Sequence, residues 1–139
     1  MRVTMALSLP LRPSTVTRAR HALTTLLSLT DATEESRGHL AVLISEACAN
    51  AVVHADRDST VDITIVIDDD GCLLEVANRG STPNGAGLES GLPSAVTIGG
   101  RGLPLIAALA DTAAFVPGLP RQVLLRITKR LTEVPTSPP

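Results

Sequence analysis

The segment SEACANAVVHA, residues 45–55, carries three polar side chains at intervals of four residues: Glu46, Asn50 and His54. On a helix, positions four apart lie on one face, each a turn above the last. At about 100° per residue, apolar positions of the same helix form a core-facing stripe, made of Leu40, Leu43, Ile44, Ala47 and Ala51. The three polar residues lie just beside the centre of this stripe. A carboxylate there needs a partner, because burying an unpaired charge is costly.

This ladder, formed by Glu46, Asn50 and His54, has three interpretations. The plainest is a helix edge at the rim of the core, with its polar tips in water. A zinc site is a poor match, because no HExxH motif links these residues. The third interpretation is a site for Mg²⁺ and phosphate, since hard cations take oxygen ligands from amide carbonyls, carboxylates and substrate phosphates. The ladder alone leaves the first and third interpretations open.

Two glycine-containing segments could complete such a site. NRGSTP, residues 78–83, follows an apolar strand pattern, and it reads either as a turn or as an amide and a glycine at the mouth of a cleft. GGRGLPLI, residues 99–106, leads into a helix whose free N–H groups and dipole favour anions such as phosphate. It is not a Walker A loop, because no Lys-Ser/Thr pair follows. Each segment alone indicates little, but their order along the chain is more specific.

The composition argues against several classes of function. Apolar residues make up 44% of the chain but only Phe115 is aromatic, so the core is aliphatic and base stacking is disfavoured. A net charge of −2 gives no basic footprint, so we expect no nucleic-acid partner. No apolar run approaches the ~20 residues of a membrane span. Cys48 and Cys72 lack metal-ligand spacing and favour a reduced, cytoplasmic setting.

Hydrophobic periodicity and turn residues predict the elements that position these motifs. In chain order they are a strand at 3–9, a helix from a Ser14 cap to about Leu29, a helix from Asp31–Thr33 to about Ala55, strands at 60–67 and 72–78 joined by an Asp70-Gly71 hairpin, a helix at 102–114, and short strands at 115–116 and 122–128. We expect residues 1–130 to form one domain, with a lid at about 81–100 and a disordered tail at 131–139. The order predicts an α+β fold with helices on one face of a mixed, mostly antiparallel sheet.

Taken together, the motifs resemble those of the GHKL ATPase domain. ISEACANAVVHA, residues 44–55, is similar to the family's N-box, and GGRGLPLIAALAD, residues 99–111, to its second glycine box. The resemblance covers roughly residues 3–130 and is narrowest to the bacterial anti-sigma-factor serine kinases, the switch-protein branch. It implies a two-layer α/β sandwich of the Bergerat type, with ATP and Mg²⁺ as cofactors.

The resemblance also implies roles for individual residues. Asn50 would hold Mg²⁺ against the nucleotide phosphates, and Glu46 would act as general base on a serine or threonine hydroxyl of a partner protein. The remaining nucleotide contacts would come from Asn78, Gly80, Gly100, Arg101, Gly102 and Leu103.

The partners that the resemblance implies are proteins. They are a sigma factor, which the chain would sequester, and an anti-anti-sigma (STAS-type) antagonist, which it would phosphorylate. Such proteins regulate transcription, often in a stress response, and are typically cytoplasmic homodimers. Arg20 falls where the family uses an arginine to contact partners, although a surface arginine is more often simply solvated.

Two positions depart from the family pattern. The first glycine box has Asp-x-Gly, whose carboxylate accepts a hydrogen bond from adenine, and here the residue is Asn78, which has one neutral acceptor oxygen. Asp69-Asp70-Gly71 is not the box, because it lies in the hairpin turn. The family's Gly-Thr before the last strand is replaced by Gln122-Val123. The alternatives to a kinase are therefore a non-catalytic partner-binding module of the same fold, with weak or altered nucleotide binding, or a detached histidine-kinase catalytic domain.

Overall fold

The computed structural model describes residues 1–80, 102–117 and 119–132. In these ranges the elements are β1 Val3–Pro10, α1 Pro13–Leu27, α2 Glu34–His54, β2 Thr60–Ile67, β3 Cys72–Arg79, α3 Gly102–Leu109, β4 Thr112–Phe115 and β5 Gln122–Lys129. The order of strands and helices is the one that the sequence predicts. The predicted lid at 81–100 lies outside the described residues, and so does the predicted tail from residue 133 onward.

The strands form one sheet in the order β1-β2-β3-β5-β4. Every pairing between the described strands is antiparallel, so the sheet is not mixed as the sequence suggested. The β2–β3 hairpin is organised by Asp68, whose Oδ1 accepts the N–H groups of Asp70 at 2.8 Å and Gly71 at 3.1 Å. Gly71 has a φ of 149°, a backbone conformation that favours glycine. The predicted hairpin is confirmed.

The helices cover one face of this sheet. Alternate strand residues point toward them and are buried, as in β2 at Val61, Ile63, Ile65 and Ile67. α2 packs across β2, β3 and β5, and its predicted core stripe is buried along its whole length. The other face carries polar contacts such as the Arg126–Glu75 ion pair at 3.2 Å. The α+β prediction is confirmed, and none of the helices described is long and apolar enough to cross a membrane.

The start of α1 differs from the prediction. The helix begins at Pro13 rather than after a Ser14 cap, and Arg12 is the N-cap without a side-chain capping hydrogen bond. Proline suits the first helical position, because its φ is already near the helical value and its missing N–H would have no helical partner. α1 ends at Leu27, slightly before the predicted Leu29.

The end of α3 also differs. The sequence predicts a helix to residue 114 and a strand at 115–116, whereas α3 ends at Leu109 and β4 already begins at Thr112. Asp111 fixes the change of direction: its N–H donates to the Thr128 carbonyl at 2.9 Å, and its Oδ2 accepts the Arg130 N–H at 2.6 Å. Pairing of β4 with β5 outweighs the helix propensity of the alanines in this stretch.

Candidate functional site

α2 positions the ladder. The helix is fixed at its start by Thr33, whose side chain accepts the Ser36 N–H at 3.0 Å, and by two glutamates in the first turn. Burial of the apolar stripe then sets the rotation of the helix about its axis. As a result, Glu46 and Asn50 are half-buried at the edge of the stripe. His54, the last residue of α2, is exposed. The ladder therefore lies at the rim of the core, with two of its members partly withdrawn from water.

The first residue of α3 faces Glu46. A Cβ built on Gly102 would lie 3.0 Å from Glu46 Oε2, so the carboxylate occupies the space that a side chain would fill. The first N–H groups of a helix lack helical partners and favour anions. Leu103 is half-buried and packs against the core, which holds this end of α3 in place. The structure thus brings together Glu46 and Gly102, two of the residues predicted for the site, while Gly100 and Arg101 lie outside the described residues.

Asn78 ends the inward-facing row of β3. The row runs through three buried apolar residues to Asn78, which is only 5% exposed. In the β3–β5 register its partner is Val123, which is 3% exposed. The two positions that depart from the family pattern are therefore direct neighbours on the same face of the sheet. Asn78 Nδ2 donates to the carbonyl of Arg79 at 3.2 Å.

Gly80 joins the end of β3 to the end of α2. It forms a β-bridge with Ala55, and a Cβ at this glycine would lie 2.3 Å from the His54 carbonyl oxygen. The Asp56 N–H donates to the Arg79 carbonyl at 2.7 Å. These contacts place Asn78 near the C-terminal part of the ladder, since His54 is one helical turn beyond Asn50.

One contact at this junction was not foreseen from the sequence. Arg121, which directly precedes β5, forms an ion pair with Asp56 at 2.5 Å, and its carbonyl accepts the Gly80 N–H at 2.9 Å. The hydrogen bond to Asp56 raises the pKa of Arg121 above its ordinary value. No local pattern links two charges that are so distant along the chain, and only the sheet order brings them together.

Arg20 is on α1 and contacts α2 next to the ladder. Its Nη1 donates to Ser45 Oγ at 3.4 Å, and Ser45 directly precedes Glu46 on α2. The side chain is half-buried between α1 and α2 rather than fully solvated. Its predicted role in binding a partner stays a prediction.

An apolar cavity of about 320 Å³ lies elsewhere, at the opposite end of the sheet. Its walls include Val3, Leu26, Ile67 and Leu131, and none of the residues predicted for the site lines it. The chemistry predicted from the sequence therefore does not depend on this cavity.

Comparison with protein families decides the assignment. A model of the histidine kinase-like ATPase domain matches residues 9–129. The chain belongs to this family. The matched range includes all the residues predicted for the site, and the expected GHKL fold is confirmed. Family membership implies that the domain binds ATP, a ligand typically accompanied by Mg²⁺.

Solved structures of other proteins show the same fold. The chain is similar to the structure of the RsbU and RsbW domains of Rv1364c from Mycobacterium tuberculosis, with 18% identity and a TM-score of 0.71 over 95% of this chain. It spans 33% of that longer chain. It is also similar to the SiaB–SiaC complex from Pseudomonas aeruginosa, with 15% identity, a TM-score of 0.59, and coverage of 89% of this chain and 88% of that one. No curated protein matches the sequence.

The residues present fit a nucleotide with its metal ion. The Glu46 carboxylate lies against Gly102 at the start of α3, where free N–H groups favour phosphate, and Asn50 offers an amide oxygen one turn from Glu46. Among the described residues, no group of three or more His, Cys, Asp and Glu side chains could hold a metal ion. A magnesium ion at Asn50 would therefore take most of its ligands from phosphates and water, as Mg²⁺ commonly does.

Proposed function

We propose that this chain is an ATP-dependent anti-sigma regulatory protein. It sequesters a sigma factor and phosphorylates a serine or threonine of an anti-anti-sigma (STAS-type) antagonist. The observation that carries the proposal is the position of the Glu46 carboxylate at the N-terminal residue of α3, on the same helix edge as Asn50. Family membership and the motif resemblance support the same assignment.

Glu46 is the general base in this proposal. It accepts the proton of the partner's hydroxyl as the hydroxyl oxygen bonds to the γ-phosphorus and the bond to the ADP oxygen breaks. ATP, when bound, supplies the phosphoryl group. Asn50 would hold Mg²⁺ through its amide oxygen, and Gly100, Arg101, Gly102 and Leu103 would bind the phosphates, as the motif resemblance implies. Asn78 and Gly80 lie on the side of the site that would receive the adenine of ATP.

The assembly we propose is a cytoplasmic homodimer, with Arg20 contacting a partner protein. β1 supports self-association, because it is an edge strand of the described sheet that contains no charged residue, and its one proline, Pro10, is its last residue. Edge strands normally carry charges or prolines along their length to prevent pairing with another chain. The two free cysteines are in keeping with a reducing compartment.

A second candidate is the same fold acting as a non-catalytic binding module. The observation that favours it is the apolar Val123 beside Asn78, where the family pattern has a threonine beside an aspartate. Relative to the family pattern, Asn78 lacks a negative charge and Val123 lacks a hydroxyl group, and both lie on the side of the site that would receive the adenine. In this case the chain would bind its partners without transferring a phosphoryl group.

A Glu46→Gln variant separates the two candidates. The amide cannot accept the proton, so we expect transfer to a STAS partner to fall by at least about 10²-fold, while the affinity for ATP stays unchanged. Glu35→Gln is the matched control, because Glu35 lies in the first turn of the same helix and its side chain is 74% exposed. Transfer is followed by mass spectrometry of the partner. A wild-type protein that binds ATP and its partner but transfers nothing would favour the non-catalytic module.

A further inference from the structure

The apolar cavity at the far end of the sheet has no part in the proposed function. Its volume of about 320 Å³ is within the range of small-molecule pockets. Four of the side chains that line it belong to the buried core: Leu26, Ala32, Ile67 and Leu131. A recess lined in this way favours an apolar group, because the group leaves water without displacing packed side chains.

The wall that the loop between α1 and α2 contributes is held in place by hydrogen bonds. Arg37 donates from Nε to the Ala32 carbonyl at 3.1 Å and from Nη2 to the Thr30 carbonyl at 3.3 Å. The Thr33 N–H donates to the Leu131 carbonyl at 2.9 Å, which ties the loop to the chain that follows β5. The cavity therefore exists before a ligand arrives, and a preformed site lowers the cost of binding.

The charges around the cavity have one sign. Among the described residues, every charged side chain that lines it is a carboxylate: Asp31, Asp68 and Asp69. Asp31 and Asp69 are exposed and Asp68 is half-buried, so the three lie at the rim rather than among the core residues. Asp69 meets the terminal ammonium of Met1 at 3.4 Å, but both groups are exposed, so this contact is weak and a ligand can replace it. The rim therefore favours a cation.

We propose that the cavity binds a small amphipathic amine, with its alkyl chain against the buried side chains and its ammonium group at the three carboxylates. The proposal does not depend on the nucleotide site, which lies at the other end of the sheet. A neutral ligand would gain only the apolar contact, and an anion would meet three charges of its own sign. A metal-free inorganic cation would gain only weak, exposed ion pairs. Both parts of the amine are therefore required.

The test is an NMR titration of the isotope-labelled wild-type protein with hexylamine, 1-hexanol and hexanoate, which have similar apolar chains and different charges. We expect hexylamine to bind about tenfold more tightly than hexanol, and hexanoate to bind most weakly. The amide shifts should be largest at the cavity, as at Ala32 and Ile67. Butylamine should bind about tenfold more weakly than hexylamine, because each methylene contributes about threefold to fourfold. Equal affinities for hexylamine and hexanol, or no localised shifts at millimolar hexylamine, would overturn the proposal.

Variants test the two parts of the site separately. Asp31→Asn combined with Asp69→Asn removes two rim charges, so the affinity for hexylamine should fall about tenfold while that for hexanol stays the same. Asp58→Asn is the matched control, because Asp58 is exposed before the start of β2 and the cavity lies at the end of that strand. Val3→Phe narrows the cavity and should weaken both probes. Unchanged hexylamine binding in the double variant, or in Val3→Phe, would contradict the proposal.

A lysine side chain of another protein carries the same chemistry as a free amine. Lysine blocked at both its amino and carboxyl ends, as N-acetyl-lysine methylamide, separates the two sources. We expect it to bind more weakly than hexylamine, because its chain has two fewer methylenes and ends in a polar backbone. Tighter binding of the blocked lysine would show that the small-molecule assignment is wrong.

Discussion

Gly102 leaves the space that the Glu46 carboxylate occupies, and a Gly102→Ala substitution tests whether that space matters for phosphoryl transfer. The new Cβ would lie 3.0 Å from Glu46 Oε2, closer than ordinary van der Waals contact, which begins at 3.4 Å. The neighbour that must move is the end of a flexible side chain rather than backbone. We therefore expect the carboxylate to shift by a few tenths of an ångström and the fold to remain intact.

The consequences for stability and for activity differ. Alanine is a better helix former than glycine by up to about 1 kcal/mol in a helix interior and less at a first position, so the free energy of unfolding should change little. Misplacing a catalytic group by about 1 Å costs about 10²-fold in rate. A smaller shift of Glu46 should lower the single-turnover rate of transfer to the STAS partner by about tenfold.

The assay is single-turnover transfer at saturating ATP, with chemical denaturation to measure stability. Gly38→Ala is the matched control: Gly38 is also on a helix, and a Cβ there would meet nothing within 4 Å. It should raise stability slightly and leave the rate unchanged. Introducing Gly102→Ala into a Glu46→Gln background should cause little further loss, because the two changes act through one side chain. Equal losses in both backgrounds, or a wild-type rate for Gly102→Ala, would refute the reasoning.

Four further predictions concern stability and reactivity. Gly80→Ala should lower the free energy of unfolding by about 2 kcal/mol or more, since its Cβ would lie 2.3 Å from the last helical carbonyl of α2; a wild-type denaturation midpoint would contradict this. Thr33→Ala should cost about 1 kcal/mol through loss of the N-cap, whereas Thr33→Ser should cost much less. Burial raises the pKa of Cys48 and of Cys72 from 9.0 to about 12, with a nearby carboxylate adding to the shift of Cys72, so alkylation at pH 8 should be slow in the folded protein. Because these pKa values are raised on folding, the thiols contribute stability below about pH 9 that is lost as pH rises toward 12. The melting temperature of the wild-type protein should therefore fall over that pH interval. It should fall less steeply in a variant with both cysteines replaced by alanine.

Local patterns were sufficient to predict most of the fold. The apolar stripe of α2, the alternation in β2 and the Asp70-Gly71 turn each depend on residues close in sequence, and each is found where it is expected. The end of α3 could not be predicted in the same way. Residues 112–115 include two alanines, which favour a helix, but they form β4 because β5 is available as a partner.

For the site, too, the sequence predicts local spacing but not the contacts between elements. The spacing of Glu46 and Asn50 shows in the sequence, because one helix carries both residues. The contact between Glu46 and Gly102 depends on how α3 packs against α2, and the pairing of Asn78 with Val123 depends on β5 lying beside β3. Sequence reasoning found these residues through motif resemblance, but their contacts come from the tertiary fold.

We propose that the edge of α2 and the start of α3 bind ATP with Mg²⁺. A calorimetric titration of the wild-type protein with ATP, with and without Mg²⁺, tests it most directly. Saturable binding that tightens when Mg²⁺ is added is the predicted result, and Asn50→Leu should remove the effect of the metal. No binding of ATP at millimolar concentration, with or without Mg²⁺, would contradict the account.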